Sequence, residues 1–457
     1  MKRKWWLLVV AAVVLVAAAG LLAIGRAPDV TTASPAAAAA YGAAIEARMK
    51  LYHAEVEQHL ERALELDPEF VMAKLLLSEY MMSRDEERSA RLLKEVGSAD
   101  LTRLSPRERV LVQRALAIHD GRREEATAML DAYLADHPND PWILELRANE
   151  AWRREDPDRA EKLFRKLIEI SPNWVMAYNM LGYLEMARGK FTEAEESFTS
   201  YRFIAPDQAN PHDSLAELYI IVGRYDDAVA SLERALAIKP DFWASYAHLL
   251  LAHQMRHDME AARQVVVRAT AVPGAREELT SVLACWVACV ELNEREAWPE
   301  MAAEPAACSE KVKGPDRTFE LLSRHFAACK LSDFTTAVSV ESALAEKLAK
   351  QAAKTVKDDE EWAKELLPHL EGIRLAFQGQ LEQAEQKLRT AEDGSTFMYA
   401  DRGLLKLRNR LFLVEVLRKL GRQAEADALL AATRSVNPAM VAEFERPGER
   451  LLDPATK

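Results

Sequence analysis

The chain has 457 residues and is rich in Ala, Leu, Glu and Arg, with only 16 glycines and 19 prolines. This composition predicts an all-α protein and excludes a strand-rich domain. The formal net charge is −12, and because residues 1–26 carry +4, the remainder carries −16. Such acidity argues against a nucleic-acid-binding face and against docking on anionic lipid.

The N-terminus combines a basic segment with a long apolar run. Lys2, Arg3 and Lys4 precede Trp5–Ile24, which are 20 residues without a charge. This run is long enough to span a bilayer core of about 30 Å, whereas a cleaved signal peptide usually has a shorter apolar stretch. Residues 1–25 are therefore predicted to be an uncleaved transmembrane helix, with cleavage as the alternative. The basic flank favours a single-pass protein of the cytoplasmic (inner) membrane, with its N-terminus in the cytoplasm and its remainder extracytoplasmic.

Residues 26–40 are dominated by alanine and contain Pro28 and Pro35. They lack an apolar period, so they are predicted to form a flexible or extended linker that provides reach. No residue in this segment indicates a recognition motif.

The middle of the chain repeats every 34 residues. Four prolines keep this interval, namely Pro138, Pro172, Pro206 and Pro240. Other positions keep the same period. In one window they are Tyr178, Leu181, Gly182, Gly189, Phe191, Ala194, Phe198 and Pro206, and in the next they are His212, Leu215, Ala216, Gly223, Tyr225, Ala228, Leu232, Ala235 and Pro240.

This pattern resembles the tetratricopeptide repeat (TPR) family, whose units are pairs of antiparallel helices. The resemblance implies an α-α superhelical solenoid, because such units bury their apolar faces only by stacking on neighbours. Gly189 and Gly223 would end first helices with φ > 0. Ala194 and Ala228 would lie where two helices cross closely, and each proline would end a second helix.

The period also predicts the organisation of the chain. Residues 41–274 are predicted to form a TPR array of about seven units, and residues 367–440 to form C-terminal TPR-like units before a tail at 441–457. Between them, residues 275–366 have helical periodicity but no turn glycine or closing proline at repeat spacing. Either divergent repeats continue through this segment, or its irregular loop, 298–317, makes a specific contact.

The family resemblance also implies a partner-binding groove on the first helices. Such a groove would bind a helix or an extended peptide of one or more partner proteins. The alternative is that these side chains pack against the next repeat. The matching positions are Glu145, Asn149, Trp152, Arg153, Met176, Asn179, Met180, Tyr183, Met186, Asn210, Asp213, Glu217, Ile220, His248, Leu251 and Gln254. The basic clamp with which some TPR proteins bind C-terminal carboxylates is missing at the matching positions.

The sequence contains no signature of catalysis. A phosphate-binding glycine loop, a G-x-S-x-G motif, an H-E-x-x-H motif and a calcium loop are all absent, so an enzyme is not predicted and no cofactor is expected. His253 and His257 are four residues apart and could share a metal ion. A third ligand is not evident, so packing and surface roles are favoured for the two histidines.

Four cysteines complete the set of reactive side chains. Cys285 and Cys289 lie on an apolar helix and are predicted to be small buried hydrophobes. Cys308 and Cys329 flank the irregular loop, and a disulfide between them is chemically allowed outside the cytoplasm. The sequence leaves this bridge open, and zinc binding at these cysteines is the less favoured reading.

These features together predict a membrane-anchored TPR scaffold for protein assembly outside the cytoplasmic membrane. The alternative, from another functional class, is a sensor that binds a small ligand or a metal in residues 275–366 and acts through a partner.

Overall fold

A computed structural model describes residues 30–82, 84–153, 156–303, 308, 318–352, 358–446 and 451–455. The predicted membrane anchor, residues 5–24, lies outside these ranges. Among the helices within them, none combines the length and the apolar character needed to cross a bilayer.

The described residues form α-helices and one short 3-10 turn, without a β-strand. The first helices in chain order are α1 (Pro35–Met49), α2 (His53–Leu66), α3 (Val71–Met81), α4 (Glu86–Gly97), α5 (Pro106–His119), α6 (Arg123–Asp136), α7 (Pro141–Arg153), α8 (Pro157–Ile170), α9 (Val175–Ala187), α10 (Phe191–Ile204), α11 (Asn210–Ile221) and α12 (Tyr225–Ile238).

The remaining described helices are α13 (Trp243–Met255), α14 (Met259–Thr270), α15 (Glu277–Glu294), α16 (Trp298–Ala302), α17 (Thr318–Lys330), α18 (Phe334–Ala352), α19 (Asp358–Phe377), α20 (Leu381–Gly394), α21 (Ala400–Lys419), α22 (Gln423–Val436) and α23 (Pro438–Phe444). The chain divides into two compact units, residues 1–180 and 181–457. We call these the N-terminal unit and the C-terminal unit.

The periodic residues act as predicted. Each closing proline follows the end of a second helix by two residues, as Pro206 follows Ile204 of α10. Gly189 and Gly223 have φ of 72° and 78°, and His257, which replaces the turn glycine, adopts φ of 56°. A Cβ atom makes this left-handed region unfavourable, so glycine is the residue usually found there.

Small residues allow close packing within a helix pair. Ala194 and Ala228 are completely buried. At Gly182, a Cβ atom would lie 2.6 Å from the ring of Phe198, which is itself fully buried. The glycine is therefore required by the approach of α9 and α10, and not by backbone conformation.

The predicted linker at 26–40 is wrong for residues 35–40, which form the start of α1. Ser34 accepts a hydrogen bond from the amide of Ala37, and Pro35 occupies the first turn of α1. This arrangement starts a helix, because serine caps free amides and proline has no amide to leave unpaired. Ala37 and Ala44 are fully buried, and the Thr31 amide donates to Glu108 over 2.6 Å.

Helices continue through the segment that lacks the repeat signature. Helices α15, α17 and α18 occur in this segment, as its helical periodicity predicts, and α17 packs against α18. Short helix α16 occupies the start of the predicted irregular loop.

The cysteine pairing differs from the prediction. The disulfide joins Cys285 to Cys308, and Cys329 is an unbridged, buried cysteine. Cys308 packs on the face of α15 that carries Cys285 and Cys289, whereas Cys329 lies beside His325, with 3.8 Å between Sγ and Nδ1. Cys289 is buried as predicted, but Cys285 is a disulfide partner and not only a small hydrophobe.

Candidate binding faces on the first helices

The odd-numbered helices from α1 to α13 are the first helices of successive pairs, and they carry every predicted groove residue. The structure divides these residues between two different environments, one in each unit.

In the N-terminal unit, several predicted residues remain accessible. Trp152, Met176 and Met180 are half-buried and Arg153 is exposed, whereas Asn179 is buried. Glu145 is also buried. Its carboxylate accepts a hydrogen bond from the indole of Trp174 at 2.8 Å and lies 3.5 Å from the guanidinium of Arg48. Apolar, aromatic and charged groups are therefore presented along neighbouring first helices.

Two buried polar atoms of this unit have no partner among the described residues. They are the amide oxygen Oδ1 of Asn149 on α7 and Nε of Arg114 on α5. Arg114 is only 8 % exposed, and burial lowers the pKa of its guanidinium. A buried acceptor or donor without a partner costs about 1–3 kcal/mol, so each of these atoms would gain from a ligand or water that completes its hydrogen bond.

In the C-terminal unit, most of the predicted groove is not accessible. Tyr183, His248 and Gln254 are half-buried. The others are buried, and these are Met186, Asn210, Asp213, Glu217, Ile220 and Leu251. The prediction of an open groove is therefore wrong here, because the chain's own helix α21 lies on α11, with Gly403 against Ile221.

A buried acid–histidine cluster forms this contact, and we define it as Asp213, Glu217 and His248. Nδ1 of His248 lies 3.1 Å from Oδ1 of Asp213, and Nε2 lies 3.7 Å from Oε2 of Glu217. Glu217 accepts hydrogen bonds from the Tyr183 hydroxyl at 2.6 Å and from the Ala400 amide at 3.0 Å. The imidazolium thus neutralises two carboxylates, and one of these caps the first turn of α21.

The charges of this cluster depend on one another. Burial opposes protonation of His248, but the carboxylates of Asp213 and Glu217 outweigh it and raise the pKa of the imidazole to about 10. Burial and the neighbouring Glu217 carboxylate raise the pKa of Tyr183, so its hydroxyl remains a donor. The three ligand atoms of the cluster lie within 4.8 Å of one another, a spacing that suits a metal ion. However, all four carboxylate oxygens already accept hydrogen bonds or face the imidazole. The cluster therefore acts as a charged clamp, by which we mean a group of paired charges that holds α21 against the first helices.

A cavity of about 430 Å³ lies inside the C-terminal unit. Leu251 and Gln254 from the predicted groove border it, and the indole of Trp286 donates to Gln254 at 2.9 Å. Its wall is mainly apolar with a few polar groups. The other lining residues are Ala247, Met255, Val282, Leu283, Cys285, Thr318, Phe319, Glu320, Leu322, Leu348, Leu366, Asp401, Leu404, Leu405, Arg408 and Met440.

Comparison with protein families agrees with this helical architecture. Residues 116–173 and 145–209 match one model of the tetratricopeptide repeat, and residues 212–242 match a second. The chain contains tetratricopeptide repeats, matched over residues 116–209 and 212–242.

Two relatives share part of this tetratricopeptide repeat protein. Cellulose synthase 2 operon protein C of Komagataeibacter xylinus is 32 % identical over 161 residues, which is 34 % of this chain and 12 % of that protein. A TPR repeat-containing protein of Pseudomonas aeruginosa is 29 % identical over 140 residues, which is 30 % of this chain and 24 % of that protein. The chain therefore matches a quarter or less of either relative.

A solved structure of a tetratricopeptide repeat protein from Parabacteroides merdae shares 15 % identity. The match covers 63 % of this chain and 98 % of that chain, with a TM-score of 0.34.

Repeat-based reasoning missed the residues that this tetratricopeptide repeat protein contributes from its C-terminal helices. Ala400, Asp401 and Gly403 meet the first helices of the regular repeats, yet none of them is a signature position of the predicted C-terminal TPR-like units. One signal was available in the sequence. Helix α21 buries residues on all of its sides, among them Leu404, Leu407, Phe412 and Val416, as expected for a helix enclosed by others.

Replacement of His248 by Gln should remove part of the pH dependence of stability. The pKa of His248 is raised from 6.5 to about 10 on folding, so its protonation stabilises the fold below pH 6.5 and this contribution is lost as the pH rises towards 10. At pH 6.5 a charge-assisted contact of about 2 kcal/mol would lower the unfolding temperature of His248→Gln by about 4–8 °C. Thermal unfolding by circular dichroism between pH 6 and 10 measures this difference.

The control is His212→Gln, because His212 lies on α11, the helix of Asp213 and Glu217, but its ring contacts the Pro206 carbonyl, at 3.4 Å. Burial lowers the pKa of the His212 imidazole, so this variant should follow the wild-type curve above pH 6.5, where the ring is neutral. Parallel curves for wild type and His248→Gln would contradict the charged clamp.

Proposed function

We propose that the protein is a membrane-anchored scaffold whose N-terminal unit binds a peptide or helix of a partner protein on its first helices. Tetratricopeptide repeat proteins bind other proteins or peptides, and the accessible first-helix residues belong to the N-terminal unit. No residue is proposed to catalyse a reaction.

The observation that carries this proposal is the accessibility of first-helix side chains in the N-terminal unit, where Trp152, Met176 and Met180 are half-buried and Arg153 is exposed. On the helix of Trp152, the amide oxygen of Asn149 is buried without a partner among the described residues. An extended peptide offers amide donors along its backbone, and we propose that one of them reaches this oxygen on binding. Met176 and Met180 lie on the following first helix, and methionine adapts its shape to varied apolar side chains.

The membrane location rests on the sequence of residues 2–24. Three basic residues before the apolar run support a cytoplasmic N-terminus, with the repeats on the periplasmic side. An alkaline phosphatase domain fused after residue 40 should be active in cells, because this enzyme folds only where its disulfides form. An inactive fusion that is present at normal abundance would reject the outward orientation.

Removal of the Asn149 amide should weaken partner binding without weakening the fold. A photo-reactive amino acid at Met176 is expected to capture one partner in membranes, and Asn149→Ala should reduce this capture about fivefold, the effect of a hydrogen bond of about 1 kcal/mol. The unfolding temperature of Asn149→Ala should stay equal or rise, because the substitution removes a buried acceptor that has no partner among the described residues.

Two controls separate binding from folding. A photo-reactive group at exposed Glu169, on second helix α8, should capture no partner. Asn179→Ala removes a buried amide that does interact, so it should lower the unfolding temperature. Equal capture from Met176 and Glu169, or a loss of stability in Asn149→Ala, would argue against this binding face.

The cavity supports a second candidate function, binding of a small ligand by the C-terminal unit. Its volume of about 430 Å³ falls in the range of small-molecule sites, which are mostly apolar with a few polar groups. Arg408 at its wall would pair with an anionic group, while the leucines would contact an apolar body. The protein would then act as a sensor that passes ligand occupancy to a partner.

Filling the cavity should abolish binding of an apolar anion. We expect anilinonaphthalene sulfonate to bind with one-to-one stoichiometry and to raise the unfolding temperature, since a ligand at 100 times its Kd stabilises by about 2.7 kcal/mol. Ala247→Trp, which projects into the cavity, should eliminate both effects. The matched control is Ala244→Trp, an exposed position on the same helix. Loss in both variants, or in neither, would remove the cavity from consideration.

A further inference from the structure

Three cysteine sulfurs meet in the wall of the C-terminal unit. Cys285 and Cys289 are four residues apart on α15, so their side chains share one helical face. Cys308 is bonded to Cys285, and its Sγ lies 3.8 Å from Sγ of Cys289. All three sulfurs lie within 4.8 Å of one another, and we call this group the three-cysteine cluster.

Apolar side chains enclose the sulfur atoms of the cluster, and one of its cysteines borders a cavity. Cys289 and Cys308 are completely buried, and Val282 and Phe319 pack against the sulfurs. Cys285 borders the 430 Å³ cavity, as does Glu320. The cluster therefore lies next to the cavity through one of its three cysteines.

One carboxylate lies near the cluster. Glu320 borders the same cavity as Cys285, is 1 % exposed, and its carboxylate lies 3.4 Å from Arg324. Thiol ligands need no anion formed in advance, because a coordinated thiol loses its proton outright.

We propose that the three-cysteine cluster binds one thiophilic d¹⁰ metal ion, with Zn²⁺ as the reference ion, once the Cys285–Cys308 disulfide is reduced. Soft thiolate ligands select such ions over hard cations. This site is independent of the peptide-binding function proposed above.

The spacing of the sulfurs fits tetrahedral coordination. A Zn–S bond of about 2.3 Å places two thiolates about 3.8 Å apart, and this is the observed separation of Cys289 and Cys308. Cleavage of the disulfide allows Cys285 and Cys308 to separate to the same distance. Three sulfurs leave the fourth position for water or for the Glu320 carboxylate beside them.

The chemistry balances in two steps. A dithiol reductant supplies two electrons and two protons to the Cys285–Cys308 bond, and it leaves as its own cyclic disulfide. Zn²⁺ then displaces the protons of the three thiols. In the reverse direction a small-molecule disulfide accepts two electrons from the Cys285 and Cys308 thiolates and, with two protons from the solvent, leaves as two thiols, which restores the protein disulfide and releases the ion while Cys289 regains its proton. The metal and the disulfide are therefore alternative states of one cluster.

The test is Co²⁺ titration of the full-length chain in detergent, after anaerobic reduction with dithiothreitol and removal of the reductant. The expected result is one equivalent of Co²⁺ with an intense thiolate-to-metal charge-transfer band and the visible bands of a tetrahedral ion. Zn²⁺ should displace it and should raise the unfolding temperature of the reduced chain. The oxidised chain should show no charge-transfer band.

Two cysteine variants locate the site. Cys289→Ser removes one ligand but spares the disulfide, so its Zn²⁺ affinity should fall at least about tenfold. A thiol count on its unreduced form, which should find only Cys329, establishes that it has folded with the native bridge. Cys329→Ser changes the buried cysteine outside the cluster and should bind like the wild type.

Three outcomes would overturn the proposal. They are the absence of a charge-transfer band in the reduced chain, equal Co²⁺ binding by the oxidised chain, and loss of the band in Cys329→Ser but not in Cys289→Ser. The last outcome would assign binding to Cys329 and His325 instead.

Discussion

The Glu217 carboxylate joins two parts of the C-terminal unit that are 183 residues apart in sequence. It is 3 % exposed, and it accepts from the Ala400 amide at the start of α21 while it faces the His248 imidazole. A buried carboxylate is costly unless it is paired and hydrogen-bonded. Once it is buried, the histidine, the tyrosine hydroxyl and the helix N-terminus must all stay in place.

Other contacts between α11 and the C-terminal helices also leave no room for a larger side chain or a lost hydrogen bond. Asn437, which is completely buried, donates to the Ile221 carbonyl at 3.0 Å and to the Tyr225 hydroxyl. A Cβ on Gly403 would lie 2.8 Å from the side chain of Ile221. Such a closely packed contact has one geometry, because interiors tolerate few voids and little overpacking. The cavity is therefore bounded by elements whose positions are fixed by polar and steric contacts.

The repeat architecture could be predicted from sequence because its causes are local. Gly189 turns the backbone, Ala194 permits a helix crossing and Pro206 ends a helix, and each of these needs only a few neighbours. The accessible face of the N-terminal unit follows from the same register. In contrast, the burial of Ile221 and Glu217 depends on α21, which is distant in sequence and belongs to the separate C-terminal TPR-like units. Register alone cannot distinguish a groove that is open from one that the chain itself fills.

The predictions of the disulfide and of the linker were wrong for related reasons. Sequence separation does not determine which cysteines meet, and Cys329 packs in the main core cluster whereas Cys308 packs with Cys285 and Cys289. In residues 31–40, small alanines that suggested a tether instead allowed α1 to pack closely, once Ser34 and Pro35 had started the helix. Both are questions of which surfaces meet in three dimensions.

The long separation between Glu217 and Ala400 also has a consequence for synthesis. Ribosomes add about 5–20 residues per second, so the 183 residues between them take about 10–40 s to appear. During that interval α11 has been made, while α21, which packs on Ile221, does not yet exist. A nascent chain would expose this apolar surface far longer than the microseconds in which its helices form. It would depend on a chaperone to remain soluble during that time.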